Sequence, residues 1–423
     1  MNFSQVNVRE QMQRLLDEQM ELPLQSPGDL TVVRAKVCNR NVTVVGFDFT
    51  DNAGTLGHDE AKQLEFAIND AVSARHPLLL LLNSAGVRVQ EKEKALASYK
   101  GVLRHILDSK LDGLTIISLV MDHCYGGASI IAMLSDRIVL HKESSISVTG
   151  PKAIEQLCGR VADRRSFRAQ IQHVISGASR AKISEVFDVV KNSPDGYKSA
   201  LQNFLSNCDN LRSSLEKVDR ELEGRTNREG LNGKMILCQS PLSKYLIEKK
   251  TSFSSELVWE TDGAYFNRIV PDAQGANQFA LIDNTHATVK SISRLTKSLS
   301  AVKPGFSRNI IFLDCPCHSP ELSDEALILA QYISHLSHVI RDRQNQGMQV
   351  DLVIVGEAGG GLFVALAAAC SQVVAMKGSN VCVLPKKALE VIGKEDEFML
   401  SMEELMRFGV IDQFVSDLEI YLS

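Results

Sequence analysis

Long apolar runs are missing from this sequence: stretches such as Leu78 to Leu82 fall far short of the roughly 20 residues that a bilayer-spanning helix needs. A membrane role is therefore not expected. The first twenty residues also lack the basic-then-apolar layout of a signal peptide, since Arg9, Glu10, Arg14, Asp17 and Glu18 are mixed with spaced apolar residues. A cytoplasmic protein is expected. There is no basic surplus, the formal net charge being -5, so no nucleic-acid partner is expected either. The nine cysteines show no framework of spacings, which points to reduced thiols. Cys315-Pro316-Cys317-His318 is their one cluster, and no second Cys/His pair with zinc-ribbon spacing accompanies it, so no metal is expected. Neither a G-x-G-x-x-G pattern nor a Walker sequence is present to cradle phosphates.

What is present is enough for two globular domains. The chain has 423 residues, 44% apolar and 23% charged, a balance that buries a core in each half. Met12, Leu15, Leu16 and Met20 fall at helical spacing, and Val32 to Val37 and Asn41 to Phe49 read as strands. A helix marked by Leu64, Ile68, Ala71 and Val72 stops before Pro77, and Leu78 to Leu82 follows as a strand buried on both faces. A long helical stripe from Ala95 to Leu107, a strand at Leu114 to Val120, the pair Gly126-Gly127, an apolar helix at Ala128 to Leu134 and a strand at Arg137 to Leu140 complete a wound α/β pattern. The polar, glycine-punctuated residues 224–234 read as a linker between an N-terminal domain, 1–223, and a C-terminal domain, 235–423.

The second half repeats the first. Ile310 to Leu313 answers Leu78 to Leu82, the stripe Leu327 to Ile340 answers the long helix, and Leu352 to Val355 precedes Gly359-Gly360-Gly361 as Leu114 to Val120 precedes Gly126-Gly127. Gly126 to Pro151 and Gly360 to Pro385 are the same interval, and both prolines open similar lysine-containing segments.

By itself a glycine pair between an apolar strand and a helix reads more readily as a tight turn than as a set of outward amides that hold negative charge on oxygen. Its recurrence at matching places in both halves favours the second. An acyl thioester that loses or gains a carboxyl group at its α-carbon passes through an enolate, and stabilising that oxygen is the central task. Single residues weigh less. His123, three positions before the first pair, reads as a locally satisfied loop residue more readily than as a proton donor, and Cys124 as a small buried side chain rather than a nucleophile. Ser129 is not in a G-x-S-x-G elbow. Arg88 has two equal readings, a partner for a substrate carboxylate or for Glu91. Lys377, in Ala375-Met376-Lys377-Gly378, reads as a strand-end lysine rather than a biotin-attachment site.

Four segments carry a resemblance. Asn52 to Lys62, Asn83-Ser84-Ala85-Gly86-Val87-Arg88-Val89-Gln90-Glu91, Cys124-Tyr125-Gly126-Gly127 and Gly150-Pro151-Lys152-Ala153-Ile154-Glu155 resemble the successive motifs of carboxyltransferase β subunits. The likeness is to the β subunit of biotin-independent malonate decarboxylase, over about Val8 to Ala200, while Leu313-Asp314-Cys315-Pro316 and Gly356 to Ala369 resemble its γ subunit. The resemblance implies two fused α/β domains of the crotonase (ClpP/crotonase) group, related by internal duplication, with the active site of the family lying between a β-type and a γ-type domain. It also implies decarboxylation of a malonyl thioester carried on the phosphopantetheine arm of an acyl carrier protein, with no tightly bound cofactor, in a protein expected to be a homo-oligomer. Carried over by position, Gly126 and Gly127 would form one oxyanion hole and Gly360 and Gly361 the other. Ser84, Ala85, Gly86, Val87, Arg88, Gln90, Glu91, Gly150 and Pro151 would shape the acyl pocket. The alternatives are the carboxyltransferase component of a biotin-dependent acyl-CoA carboxylase and a non-catalytic subunit that binds an acylated carrier.

Overall fold

A computed structural model describes residues 2–22, 27–50, 52–158, 163–208, 211, 214–228, 258–260, 265–268, 277–281, 286–302, 308–391, 393 and 400–416. The chain divides into two compact units, the first made of Met1–Val218 together with Glu321–Ser334 and the second of Asp219–Pro320 with His335–Ser423. The sequence-based domains, 1–223 and 235–423, are each continuous along the chain, whereas this division falls at 218/219 and gives Glu321–Ser334 to the first unit. Residues 224–228, expected in a linker, end the helix Leu215–Arg228, and residues 229–234 lie outside the described residues.

The first unit is built on strands β1 (Glu18–Glu21), β2 (Thr31–Val37), β3 (Arg40–Gly46), β4 (Leu78–Ser84), β5 (Ile116–Tyr125), β6 (Arg137–His141), β7 (Ser145–Ser147) and β8 (Phe187–Val190). Their order is β1-β2-β3-β4-β5-β6-β8, with β7 pairing on β5. From β3 onward every pairing is parallel, which requires crossover connections, and helices supply them. Alternate strand residues decide what each face meets. Val33, Val42, Val44, Leu79, Leu81, Ile117, Leu119 and Met121 form one core with Met12 and Leu15 of the helix Val8–Leu15 and Tyr197, Leu201 and Leu205 of the helix Pro194–Ser206. The intervening residues Leu78, Leu80, Leu82, Ile116 and Val120 are equally buried, so β4 and β5 have two covered faces. The N-terminal helix therefore belongs to the core of this unit, since burying one such side chain is worth about 1.5–3 kcal/mol.

The second unit repeats the plan strand for strand. Its strands are β9 (Val258–Glu260), β10 (Tyr265–Arg268), β11 (Asn277–Leu281), β12 (Arg308–Cys315), β13 (Gln349–Gly359), β14 (Gln372–Met376), β15 (Asn380–Cys382) and β16 (Gln413–Val415). They are ordered β16-β14-β13-β12-β11-β10-β9, with β15 pairing on β13. The pairings match in direction as well: β9, β10 and β11 meet antiparallel, and the rest of the sheet is parallel. Even the irregularities repeat, with a register shift between Leu82 and Ser84 in β4 and between Leu313 and Cys315 in β12. No helix among the described residues is long and apolar enough to cross a membrane.

Candidate functional site

The first glycine corner sits where β5 ends. Gly126 has φ 55° and ψ -133°, a backbone state that side chains oppose, and Gly127 opens the helix Gly127–Met133. The two glycines differ in what their amides do. Gly126 N–H donates to Ser147 O at 3.2 Å, extending the parallel β5–β7 pairing by one residue. That amide is committed to the sheet, which narrows the expected pair of donors to Gly127, a first-turn residue with no carbonyl one turn back to receive its N–H.

Close approach explains the second glycine. A Cβ on Gly127 would lie 2.7 Å from Cζ of the Tyr99 ring and 2.9 Å from Val87 Cγ2, and Tyr99 Oη donates to Gly127 O. Tyr99 is fully buried, on the long helix Lys92–Leu111, and burial raises its pKa, so its phenol stays protonated as a donor. Ser129 donates through Oγ to Gly126 O at 2.7 Å; its hydroxyl braces the turn rather than standing out as a nucleophile. Cys124 is buried with its thiol pKa pushed up by desolvation, so it is held as S–H.

The loop after β4 lies against this corner. Ser84 Oγ accepts Gly86 N–H at 3.1 Å, Ala85 is exposed, and Gly86 has φ +112°. A Cβ on Gly86 would stand 3.1 Å from Tyr125 O and 3.3 Å from Gly127 N, so the missing side chain leaves the Gly127 amide uncovered from this side. Val87 bridges to Leu56, which anchors the loop. Beyond it the expected pocket residues part company. Arg88 pairs with Glu60 at 3.0 Å, Glu91 at 3.2 Å and Asp29 at 3.8 Å and donates to Thr55 O at 3.1 Å, and Glu91 accepts His58 N–H at 2.7 Å. Of its two readings, the internal one is what this conformation adopts. Gln90 is exposed.

Gly150 and Pro151 open the helix Pro151–Leu157, and the turn before them is held by a pair that the sequence reading missed. Glu325 accepts Thr149 N–H at 2.6 Å and meets Arg180 Nη2 at 3.2 Å, with both side chains shut from solvent. Arg180 also donates through Nε and Nη2 to Ile146 O at 3.1 and 2.8 Å, and through Nη1 to Glu325 O. β7, which receives the Gly126 amide, is thereby tied to a buried ion pair. Burial pushes the Glu325 carboxyl up, while Arg180 and the Thr149 amide oppose it. A separation of 145 positions between the partners left no local signal to find them by.

His123 lies on β5 rather than in a loop. Its Nδ1 is 2.9 Å from Ser145 Oγ and 3.2 Å from Tyr125 Oη, and Tyr125 Oη is 2.6 Å from Ser145 Oγ. The ring stacks on Tyr125 with centroids 5.4 Å apart, and its side chain remains 38% exposed, so it is both held and reachable.

The second corner is built alike and furnished differently. Gly360 has φ +64° and donates its N–H to Val383 O at 3.0 Å, and the helix Gly360–Ala369 runs on from it. Here a Cβ on Gly360 would lie 2.2 Å from Cys317 Sγ, so the sulfur fills the space beside that glycine. Cys317 Sγ is 3.2 Å from His318 Nδ1, and Cys315 Sγ donates to Cys317 O at 3.1 Å. Burial lowers the His318 pKa to about 4 and raises that of the Cys317 thiol, so both are neutral near pH 7. Asp314 accepts Glu357 N–H at 2.9 Å and occupies the space beside Gly356. Lys377 follows directly on β14, its N–H donated to Val415 O at 2.8 Å.

Residues 27–219 are similar to the family described as carboxyl transferase domain. The propionyl-CoA carboxylase beta chain of Mus musculus is 29% identical over 170 residues, 39% of this chain and 31% of the relative, so the matched stretch spans about a third of the length of that curated relative. Among solved structures, a Pseudomonas malonate decarboxylase MdcD-MdcE hetero-dimer aligns at 21% identity over 48% of this chain and 88% of the other, with a TM-score of 0.41. The transcarboxylase 12S hexamer with hydrolysed methylmalonyl-coenzyme A aligns at 15% identity over 98% of this chain and 87% of the other, also with a TM-score of 0.41. The fold is a mixed α/β type with largely parallel sheets, present as two units, and the carboxyl transferase match lies on the first.

Proposed function

We propose that this protein stabilises the enolate of an acyl thioester, and that its reaction is decarboxylation of a malonyl thioester carried on the phosphopantetheine arm of an acyl carrier protein. The observation that carries the reading is the first corner: a helix-opening Gly127 whose amide is left uncovered by a second glycine, Gly86, within the segment that matches the carboxyl transferase domain. When the carboxylate leaves as CO₂, its bonding electrons pass to the α-carbon and onto the thioester oxygen. The Gly127 N–H, fixed in place before the reaction, meets that charge without reorganising. One such donor is worth about 3 kcal/mol in the transition state, roughly a hundredfold in rate. Protonation of the enolate at carbon gives the acetyl thioester, and His123 or water supplies that proton.

The decisive experiment offers purified protein malonyl-acyl carrier protein with no biotin protein present and follows loss of CO₂ by mass. Acetyl-acyl carrier protein is the expected product. The similarity to an acyl-CoA carboxylase beta chain supports one alternative, the carboxyltransferase component of a biotin-dependent carboxylase. Activity that appears only when a carboxybiotin carrier is added would establish it instead.

A further inference from the structure

The strand registers make Gly86 and Cys317 equivalent positions. After the shift in β4, Ser84 pairs with Cys124; after the shift in β12, Cys315 pairs with Ala358. Two residues further on, Gly86 O accepts Leu56 N–H at 2.8 Å and Cys317 O accepts Ala287 N–H at 3.0 Å. Next, Val87 bridges Leu56 as His318 bridges Ala287, and the N–H groups of Arg88 and Ser319 return to Leu56 O and Ala287 O at 3.0 and 2.8 Å. The two loops are held by the same bonds. They differ in what they lay over the glycine corner: nothing from Gly86, a thiol from Cys317.

We propose that Cys317 shuts the second corner, its sulfur filling the space beside Gly360 so that no acyl-thioester oxygen reaches the Gly361 N–H while this side chain is in place. The sulfur stands within 2.2 Å of where a Cβ on Gly360 would be, which leaves no room for a carbonyl oxygen at the same spot. The side chain is also fixed from several directions. His318 Nδ1 holds the sulfur, Cys315 holds the Cys317 carbonyl, and Cys317 and His318 are 5% and 7% exposed. The functional consequence is that the duplicated unit keeps the architecture of an anion-stabilising corner but not its vacancy, and Cys317 is the residue that decides this.

The test uses the full chain and compares wild type with Cys317→Gly, Cys317→Ala and Cys317→Ser. Hydrogen exchange is read at the Gly361 amide, and acetyl-CoA binding is read by calorimetry; acetyl-CoA is chosen on the reading given under Proposed function. Removing the sulfur in Cys317→Gly and Cys317→Ala opens the corner to solvent and should speed exchange of the Gly361 amide by about tenfold. Cys317→Ser keeps an atom in that space and should stay near wild type. Cys317→Gly should also bind one more acetyl-CoA per chain than wild type does. Unchanged exchange in the Gly and Ala variants, no added acetyl-CoA in Cys317→Gly, or protection of Gly361 by acetyl-CoA in wild type would each overturn the proposal. Should Cys317→Gly not fold, exchange in the Ala and Ser variants still decides it. A wild type that binds no acetyl-CoA beside a Cys317→Gly that binds one would sink the proposed use of the first corner and leave the closure of the second intact.

Discussion

The two glycine corners share a backbone and differ in a side chain. Each ends a buried parallel strand, puts a glycine at positive φ and commits that glycine's amide to a neighbouring segment; the helix opens at the next residue, Gly127, in the first and at Gly360 itself in the second. At the first, Gly86 leaves the Gly127 amide uncovered; at the second, the Cys317 sulfur fills the space beside Gly360. The lesson is that a duplicated corner preserves its turn more faithfully than its chemistry, because the turn is fixed by sheet pairing and the chemistry by whatever one loop residue lays across it.

The sharpest way to break the comparison is at Gly127. Gly127→Val drives a side chain into Tyr99 and Val87, and CO₂ release should fall by about a hundredfold or more. Assay of malonyl-acyl carrier protein turnover, with circular dichroism as a check on folding, measures it; retention of full turnover would place the chemistry elsewhere.

The next effect concerns the buried ion pair of the first unit. Glu325→Ala removes the carboxylate that the buried Arg180 guanidinium meets at 3.2 Å, which should cost about 3–5 kcal/mol in urea unfolding. Arg180→Met added to it should recover part of that loss, since the buried charge is then gone. If the single substitution costs less than about 1 kcal/mol, the pair does not brace β7.

Acid distinguishes the units in a third way. His318 stands where the first unit has Val87, and its folded pKa is lowered to about 4 from an ordinary value of 6.5. Because the folded form disfavours the proton, its contribution to stability is complete above pH 6.5 and is lost as pH falls towards 4. The expected slope is about 1.4 kcal/mol per pH unit in that window. His318→Phe should flatten it, as followed by urea unfolding at pH 7 and pH 5; an identical slope in the variant would show that another group titrates.

The smallest effect is expected at Ser129. Ser129→Ala removes only the hydroxyl that braces Gly126 O, costing about 1 kcal/mol of stability and leaving CO₂ release within about twofold. A collapse of turnover with stability unchanged would make Ser129 a reacting group after all.

Much of this could be read along the chain, since periodicity reports local structure. The five leucines of β4, the helical stripe from Ala95 to Leu107 and the glycines after an apolar strand each announce their element within a few residues, and their recurrence announced the duplication. Which glycine amide is available was not legible, because Gly126 and Gly127 are adjacent and alike until β7 pairs with β5 and takes the first. Arg88 was ambiguous for a related reason: Glu91 is visible three positions on, but Glu60 and Asp29 come near only when the strands are in place.

By itself, then, the sequence determined two copies of one strand-and-helix plan and the positions of their glycine turns, because hydrophobic spacing and permissive backbone are properties of neighbouring residues. Only the tertiary structure decided that Glu325 completes the first unit from the far half of the chain and that Cys317 covers in one corner what Gly86 leaves bare in the other. Those outcomes depend on distances between residues that are remote in sequence, and such distances are set when the strands pair.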